Sequence, residues 1–187
     1  MTTPRDVVAI FGGSFNPPHI SHVLAVTAVL VTHRVDRVLV VPTFQHPFAK
    51  SLAAFDHRVK MCELAMGWLP KVVVSRVEEE LGGESRSLRT VEHLSQAHPE
   101  WQLRFVIGSD ILLEAKKWHG FDAICALAPL IVLGRTGFDG TNVPPPLLPD
   151  ISSTEVRTAL AAGNYAAIET LVPREVLAYI QSAGLYR

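Results

Sequence analysis

The residues best suited to chemistry lie in the stretch GGSFNPPHISH, residues 12–22 of the 187-residue chain. His19 and His22 stand three positions apart, so on a helix both imidazoles project from one face of the first turn, beside the positive end of the dipole. There they could donate hydrogen bonds to phosphoryl oxygens and balance the charge that develops on them. Pro17 and Pro18 favour entry into a helix whose free N–H groups attract phosphate, and the glycines allow close backbone approach.

This stretch therefore predicts a phosphate site. It contains neither GxGxxG nor GxxxxGKS, so neither the dinucleotide fingerprint nor the Walker loop applies. Three alternatives remain open: an ordinary loop between a strand and a helix, a pair of structural histidines, and a metal site, for which no third ligand stands at a matching spacing.

The stretch ISSTEVR, residues 151–157, is a second candidate. Ser152 and Glu155 have the spacing of a capping box, which predicts the start of a helix. A capped helix N-terminus is also an anion site, and Arg157 lies four residues past Ser153, on the face of the opening turn. Capping and phosphate binding are compatible, so we expect both.

Lys50, Asp110 and Trp118 are further candidates. Lys50, in the segment PFAK, could bring a point charge to a triphosphate or a substrate phosphate, or be a solvated surface lysine. Asp110, in the segment GSD, is placed to cap the helix that follows it. Trp118 stands beside charged residues, which favours a ring that stacks on a ligand over a core tryptophan. Arg58 lies on an amphipathic helix, where we expect an ion-pair partner that anchors the helix.

The elements that position these residues follow from short apolar runs that alternate with helical stretches. The runs are β-branched, as in strands buried on both faces, and predict five strands at residues 7–11, 37–41, 71–74, 103–107 and 130–133. Helices are predicted at residues 19–33, 55–68, 88–98 and 111–126. This alternation implies right-handed crossovers and an α/β fold, a Rossmann-like, doubly wound parallel sheet of five strands. Ligands bind such a sheet outside the carboxyl ends of its strands.

From residue 151 onward only helical periodicity remains, which predicts a helical tail, 151–187, on the same core. A length of 187 residues suits one core. We therefore predict that residues 1–187 form a single domain.

Composition limits the classes of partner. Hydrophobic residues make up 48% and charged residues 19%, and the formal net charge is −1, so we expect a folded chain without the basic field that attracts nucleic acid. No run of about 18 uncharged apolar residues occurs, so we expect no membrane span. Cys62 and Cys125 show no CxxC spacing, which argues against a disulfide framework or a zinc site. With no targeting segment visible, we expect a cytoplasmic protein and leave a homo-oligomer open.

Both motifs resemble those of a known family. GGSFNPPHISH is similar to the GSFxPxHxGH loop of the nucleotidyltransferase superfamily, and ISSTEVR is similar to its ISSTxxR segment. More narrowly, the chain resembles the bacterial nicotinate-nucleotide adenylyltransferase family over nearly its whole length. This resemblance implies an enzyme of NAD biosynthesis that transfers AMP from ATP to nicotinate mononucleotide, releasing pyrophosphate and forming the deamido-NAD dinucleotide. Mg²⁺ would enter with ATP, and no metal ligands are assigned to the chain.

The resemblance also implies roles for individual residues. The catalytic set would be His19, His22, Lys50 and Arg157. Residues of the two motifs and of the GSD segment would bind ATP: Gly12, Gly13, Ser14, Phe15, His19, His22, Gly108, Asp110, Ile151, Ser152, Ser153, Thr154 and Arg157. The mononucleotide would be bound by Ser14, Asn16, Lys50, Arg86, Ser87, Thr90, Trp118 and Arg135, with Trp118 stacked on the pyridine ring.

Two departures from the family's pattern lie near the predicted phosphate site. Ser21 occupies the glycine position between the two histidines, where it could crowd the nucleoside or supply an extra hydrogen bond. Phe48 and Ala49 replace Pro-His before Lys50.

A third departure concerns the second substrate. The segment SRSLRT, residues 85–90, stands where the family has SYTxDT, so Arg86 and Arg89 replace Tyr and Asp. Selection of the acid form of the mononucleotide requires a donor near the ring, and we predict that Arg86 is that contact while Arg89 faces solvent. The alternative left open is that both are solvated surface arginines. Alternatives left open are nicotinamide mononucleotide, another adenylyl or cytidylyl transfer such as that to phosphopantetheine, and a regulatory domain that binds nucleotide without turnover.

Overall fold

Six parallel strands form one sheet in the computed structural model, which describes residues 6–46, 52–114, 118, 120–138 and 143–187. The strands are β1 (Asp6–Gly13), β2 (Arg37–Pro42), β3 (Val72–Val74), β4 (Trp101–Gly108), β5 (Leu130–Arg135) and β6 (Pro146–Leu148). Their order, β3-β2-β1-β4-β5-β6, reverses between β1 and β4, as in a doubly wound Rossmann-like sheet. The predicted α/β class is confirmed, and the reversal opens a crevice at the carboxyl ends of β1 and β4.

The predicted count of five strands is wrong by one. β6 pairs with β5 at the sheet edge, in register Gly134 to Pro146 and Arg135 to Leu148. A proline is tolerated there because the outer side of an edge strand needs no N–H donor. The strand begins inside the proline cluster 144–146, whose composition predicts a stiff surface connection and thereby hides it.

Eight α-helices occur in the described part of the chain. They are α1 (Ile20–Thr32), α2 (Phe55–Met66), α3 (Val77–Leu81), α4 (Ser87–Ala97), α5 (Ser109–Glu114), α6 (Phe121–Leu127), α7 (Ser153–Ala161) and α8 (Arg174–Ala183). The single helix predicted at 111–126 is wrong, because α6 begins after Gly120, which has a φ of 71° that glycine adopts without strain. α3 has only five residues, too few to show a helical period.

Both faces of the sheet are buried, because alternate residues of each strand enter different clusters. In β1, Ala9 belongs to the cluster beneath α1, α2, α7 and α8, whereas Val8 and Ile10 belong to the cluster beneath α4 and α6. Val156 of α7 and Ile180 of α8 are buried in the same cluster as α1. The helical tail thus packs on the core of the sheet and stands beside the loop that follows β1.

No helix within the described ranges is long and apolar enough to cross a membrane.

Cys62 and Cys125 are both free thiols. Burial raises the pKa of the Cys62 thiol well above its usual range, which keeps it protonated and unreactive.

Candidate active site

An open cavity of about 1580 Å³ lies at the carboxyl ends of β1 and β4. Every predicted site residue in the described part of the chain lines this cavity except Thr90. Lys50, together with Phe48 and Ala49, lies outside the described residues. The topology therefore brings together side chains from both ends of the sequence, as expected for a sheet of this type.

Two ends of the cavity have different walls. The α1–α7 end contains His19, His22 and Arg157, and the α4 end contains Glu84 and Arg86.

The two histidines lie at the N-terminus of α1. His19 is the N-cap residue and His22 is in the first turn, with ring centroids 3.9 Å apart. The backbone N–H of His19 donates to Nδ1 of His22 over 3.1 Å. Because Nδ1 of His22 accepts this bond, its ring proton sits on Nε2, which can donate to a ligand.

The surroundings keep both imidazoles neutral near pH 7. Burial, with a contribution from the positive charge of Arg135, lowers the pKa of His19 to about 4, against a smaller opposing effect of Glu155. Burial, His19 and Arg135 hold the pKa of His22 well below its usual range. Nδ1 of His19 is buried without a hydrogen-bond partner among the described residues. The pair thus offers preorganised donors and an unsatisfied nitrogen at a helix N-terminus, a setting that favours an anion.

Two glycines that line the cavity, Gly13 and Gly108, leave room for neighbouring side chains. A Cβ on Gly13 would lie 3.1 Å from the ring of Phe15, and a Cβ on Gly108 would overlap Oδ1 of Asp110. The positive φ in this loop falls on Phe15, at 46°, and not on a glycine. The loop therefore needs Gly13 for the close approach of the Phe15 ring.

The N-terminus of α7 closes the α1–α7 end. Oγ of Ser152 accepts from the backbone N–H of Glu155 over 3.2 Å, and Ser152 N–H donates to the Glu155 carboxylate over 2.8 Å, which confirms the predicted capping box. Ser153 Oγ donates to the carbonyl of Pro17 over 2.9 Å. Arg157 Nη1 donates to the carbonyl of Asn16 over 2.8 Å. The start of α7 is therefore fastened to the loop after β1, with its free N–H groups beside the histidines.

Arg135 connects the strands to this helix start. Its Nη1 donates to Asp110 over 2.9 Å, and its Nη2 donates to the carbonyl of Ile151 over 2.9 Å and to Asp150 over 3.2 Å. These partners are residues predicted for ATP or their neighbours, so the predicted contact of Arg135 with the mononucleotide stays a prediction. α5 begins at Ser109, which places Asp110 inside the first turn, and the prediction that Asp110 precedes the helix as its cap is wrong.

Two polar residues, Asn16 and Ser21, connect the loop after β1 and the start of α1 to distant parts of the chain. The buried Asn16 accepts at Oδ1 from the Tyr186 hydroxyl over 2.8 Å and from the Ala53 N–H over 3.0 Å. Ser21 Oγ donates to the carbonyl of Pro149 over 3.0 Å. Ser21 thus makes an extra hydrogen bond within the protein, to the segment that leads into α7. The predicted contact of Asn16 with the mononucleotide cannot use a free Oδ1.

At the α4 end, the backbone is held by Glu78 and Ser85. Ser85 Oγ accepts from the N–H of Phe44 over 2.8 Å and from the N–H of Gln45 over 3.2 Å. Glu78 accepts from the same Phe44 N–H over 3.1 Å and from the Thr90 hydroxyl over 3.1 Å. Thr90 is 3% exposed and does not line the cavity, so the prediction that it contacts the mononucleotide is wrong. Its hydroxyl serves to hold Glu78.

The two arginines of this segment have different partners. Arg86 is the N-cap residue of α4 and forms an ion pair with Glu84 over 2.9 Å at the cavity wall. Arg89 is exposed, as predicted, but donates to the carbonyls of Leu81 and Gly82 over 2.6 Å each. Arg89 therefore closes the end of α3, and Arg86 is the arginine that faces the cavity.

Trp118 is half-buried at the cavity wall. Its ring packs edge-to-face against Phe105 and Phe121, with centroids 6.2 and 6.3 Å away. The ring is thus fixed by neighbours while it lines the cavity. Stacking on a ligand stays a prediction.

Arg58 is the residue whose role differs most from its prediction. It is 1% exposed and donates to the carbonyls of Ser14 and Ala53 over 3.0 and 2.9 Å. Within the described ranges it forms no ion pair, so the expected anchor through an acidic side chain is wrong. Burial lowers the pKa of its guanidinium from the usual value. Arg58 fixes the loop after β1 to the start of α2 through backbone oxygens.

Sequence reasoning missed Arg58, Glu78 and Tyr186 as site-forming residues. Only Arg58 carries a signal, because it lies four residues before the buried Cys62, on the apolar face of α2. Glu78 stands in a run of three glutamates that resembles a solvated face, and the partner of Tyr186 lies 170 positions away.

Comparison with known families agrees with this architecture. The cytidylyltransferase-like family matches residues 10–159. A protein of Anaeromyxobacter dehalogenans (strain 2CP-1) named "Probable nicotinate-nucleotide adenylyltransferase" is 44% identical over 183 residues, covering 96% of each chain. A protein of the same name from Myxococcus xanthus is 41% identical over 187 residues, covering 98% of this chain and 96% of its own length.

Solved structures share the fold. The nicotinic acid mononucleotide adenylyltransferase of Plasmodium falciparum, in complex with NaAD, superposes with a TM-score of 0.83 at 21% identity, covering 97% of both chains. The same protein in complex with APC gives a TM-score of 0.82.

Proposed function

Because this chain belongs to the nicotinate-nucleotide adenylyltransferase family and is a nucleotidyltransferase, we propose that its cavity transfers AMP from ATP to nicotinate mononucleotide. The reaction releases pyrophosphate and forms the deamido-NAD dinucleotide. One observation carries this proposal: the histidine pair of α1 and the capped N-terminus of α7, with Arg157, meet in one cavity.

The proposed reaction is an in-line displacement at the α-phosphorus of ATP. An oxygen of the mononucleotide phosphate forms a bond to that phosphorus, and the bond from phosphorus to the bridging oxygen of the leaving pyrophosphate breaks. The attacking phosphate is already anionic, so the step needs neither a covalent nucleophile nor a base. Catalysis then consists of positioning and of stabilising charge on phosphoryl oxygens.

Each element of the α1–α7 end has a place in this step. His19 and His22 donate N–H groups to oxygens of the reacting phosphates, and the arriving charge of ATP raises their pKa values towards the protonated form. The free N–H groups at the start of α7, with Ser152, Ser153 and Thr154, hold the departing phosphates. Arg157 uses two of its donors on Asn16 and Thr154, and the rest can reach an anion.

A divalent cation is expected with ATP, and we propose Mg²⁺. Among the described residues no group of three or more His, Cys, Asp or Glu side chains could hold a metal ion. Such a site fits Mg²⁺ bound by triphosphate oxygens and water, which needs few protein ligands. When bound, the ion would neutralise phosphate charge. Lys50 stays a predicted contact of the phosphates.

The α4 end is proposed to receive the pyridine ring. Trp118 would stack on the ring, and Arg86 with the free N–H groups at the start of α4 would hold the carboxylate of the acid form. Ser14 and Ser87, which also line the cavity, would contact the mononucleotide.

Further parts of the proposal concern the whole chain. We propose that residues 1–187 act as one domain, because α7 and α8 share the core of α1. A cytoplasmic location, the absence of nucleic-acid partners and the oligomeric state stay predictions.

The test measures the release of pyrophosphate from ATP in the presence of Mg²⁺. The acceptor is nicotinate mononucleotide, nicotinamide mononucleotide or phosphopantetheine, and each reaction is compared with one that lacks an acceptor. We expect the highest kcat/KM with nicotinate mononucleotide and a dinucleotide product by mass spectrometry. No turnover with either pyridine mononucleotide, or a clear preference for phosphopantetheine, would refute the proposal.

A further inference from the structure

Glu84 is a carboxylate in the wall where an acidic ligand is expected. It lines the α4 end of the cavity, and its side chain forms an ion pair with Arg86 over 2.9 Å. The side chains are 56% and 51% exposed, so water separates this pair readily. Arg86 therefore already has an anionic partner before any substrate arrives.

The backbone of this segment explains why the pair forms. The N–H of Ser85 donates to the carbonyl of Gln45 over 2.8 Å, and Ser85 Oγ accepts from the N–H groups of Phe44 and Gln45. Arg86 has an extended backbone, with φ of −134° and ψ of 120°. Residues two positions apart on an extended segment point to the same side, so Glu84 and Arg86 project together.

A second carboxylate at this end, that of Glu78, already has other hydrogen-bond partners and does not pair with Arg86. Glu78 also lines the cavity, but its oxygens accept from the Phe44 N–H and the Thr90 hydroxyl. Arg89, the next arginine along, is held by two backbone carbonyls and does not line the cavity. At the α4 end of the cavity, Glu84 is thus the carboxylate that is paired directly with Arg86.

From this arrangement we infer that Glu84 competes with the substrate carboxylate for Arg86 and so limits the enzyme's preference for the acid form of the mononucleotide. The inference rests on the proposed function. To bind the acid form, Arg86 must share or leave Glu84, and the two carboxylates repel each other. The amide form carries no such charge and does not meet this repulsion. Glu84 is therefore a specificity-determining residue that sets the ratio of the two activities.

The test is Glu84→Gln, which keeps the size of the side chain and removes its charge. We expect the ratio of kcat/KM for nicotinate to nicotinamide mononucleotide to rise about three- to tenfold, as for loss of a like charge near a solvated site. The rise comes from the acid form, and calorimetric titration with nicotinate mononucleotide should show a matching fall in Kd. Raising the salt concentration should reduce the difference between variant and parent.

Two controls isolate the pair. Glu92→Gln makes the same charge change at an exposed site on α4 outside the cavity and should leave the ratio at the parent value. In an Arg86→Ala background, Glu84→Gln should raise the ratio by less than in the parent background, because the competition for Arg86 is gone and only the direct repulsion between the two carboxylates remains.

The outcomes separate the two proposals. If the parent forms dinucleotide but Glu84→Gln leaves the ratio unchanged or lowers it, the competition is overturned and the proposed function stands. An equal rise in Glu92→Gln would also overturn it, because a general charge effect would explain the change. If the parent uses neither mononucleotide, the proposed function fails and this inference falls with it.

Discussion

The α1–α7 end and the α4 end of the cavity differ in how their side chains are held. At the α1–α7 end, hydrogen bonds from Ser21, Ser153 and Arg157 join residues 128, 136 and 141 positions apart in the sequence. At the α4 end, Glu84 and Arg86 stand two positions apart and pair in contact with water. Tertiary hydrogen bonds hold the side chains of the α1–α7 end, whereas the charged pair of the α4 end is local and exposed.

This difference separates two tasks. Burial of His19 and His22 keeps both imidazoles neutral, so changes at the α1–α7 end affect fold, charge state and chemistry together. Exposed charges at the α4 end can be exchanged with little effect on stability, because water screens them. Selection of the second substrate can therefore change while the phosphate chemistry is kept.

The largest effect is expected for His19→Ala. Loss of one preorganised donor to developing phosphoryl charge should lower kcat at least about 100-fold. Steady-state kinetics with saturating ATP and mononucleotide measures this loss, and circular dichroism checks the fold. His33→Ala, at the exposed far end of α1, is the matched control and should turn over like the parent. Parent-like kcat in His19→Ala would remove the histidine from the mechanism.

The α1–α7 end should also make stability depend on pH. The pKa of His19 falls from 6.5 in the unfolded chain to about 4 in the fold. Below pH 6.5 the unfolded chain takes up a proton that the folded protein refuses until about pH 4, so acid favours unfolding. Between pH 7.5 and 5, His19 alone should lower the free energy of unfolding by about 2 kcal/mol.

Urea denaturation at the two pH values measures this loss. His19→Ala should lose less stability than the parent on acidification. Equal losses in the parent and in His19→Ala would show that this imidazole is not held neutral by the fold.

A smaller effect is expected for Arg157→Ala. Its charged hydrogen bonds to ATP should each contribute about 1.5–3 kcal/mol, so the Kd of ATP should rise about tenfold or more while that of the mononucleotide changes little. Calorimetric titration with each ligand measures this split, with the exposed Arg174→Ala as control. Unchanged ATP affinity would leave Arg157 only its bonds to the Asn16 carbonyl and the Thr154 hydroxyl.

The smallest effect is expected at the α4 end. Arg86→Ala should lower the acid-to-amide ratio of kcat/KM about three- to tenfold, with the melting temperature close to that of the parent because the ion pair is exposed. Steady-state kinetics with both mononucleotides measures the ratio, and thermal denaturation measures the melting temperature. A large drop in melting temperature would break the contrast between the two ends, and an unchanged ratio would dismiss the carboxylate contact.

The sheet could be predicted where burial dominates. Strands such as β1 and β2 are buried on both faces, so their apolar runs are unbroken and visible in the sequence. β6 has three residues, two of them exposed, and begins with proline, so neither periodicity nor propensity marks it. The helix predicted across 111–126 failed because apolar spacing does not reveal the left-handed turn at Gly120.

The site could be predicted where motif and position coincide. The capping box at Ser152 and Glu155 is local, so its spacing is enough. The prediction for Thr90 failed because its buried hydroxyl donates to Glu78, a residue of a different helix that the local sequence does not reveal. The prediction for Arg58 failed because backbone carbonyl oxygens can accept the hydrogen bonds of a buried guanidinium, and such acceptors have no sequence signature.

The fastening of α7 to the loop after β1 has a consequence for the order in which the molecule assembles. Side-chain bonds to loop carbonyls fasten the start of α7, whereas β1 pairs with a strand on each side, so we expect the start of α7 to open before the central strands and to close after them. A chain that opens transiently would therefore release the start of α7, which is part of the proposed triphosphate site, before its central strands separate. Because the proposed ATP site requires the start of α7 to be in place, ATP should slow amide hydrogen exchange in α7 more than in β1 and so stabilise this part of the fold.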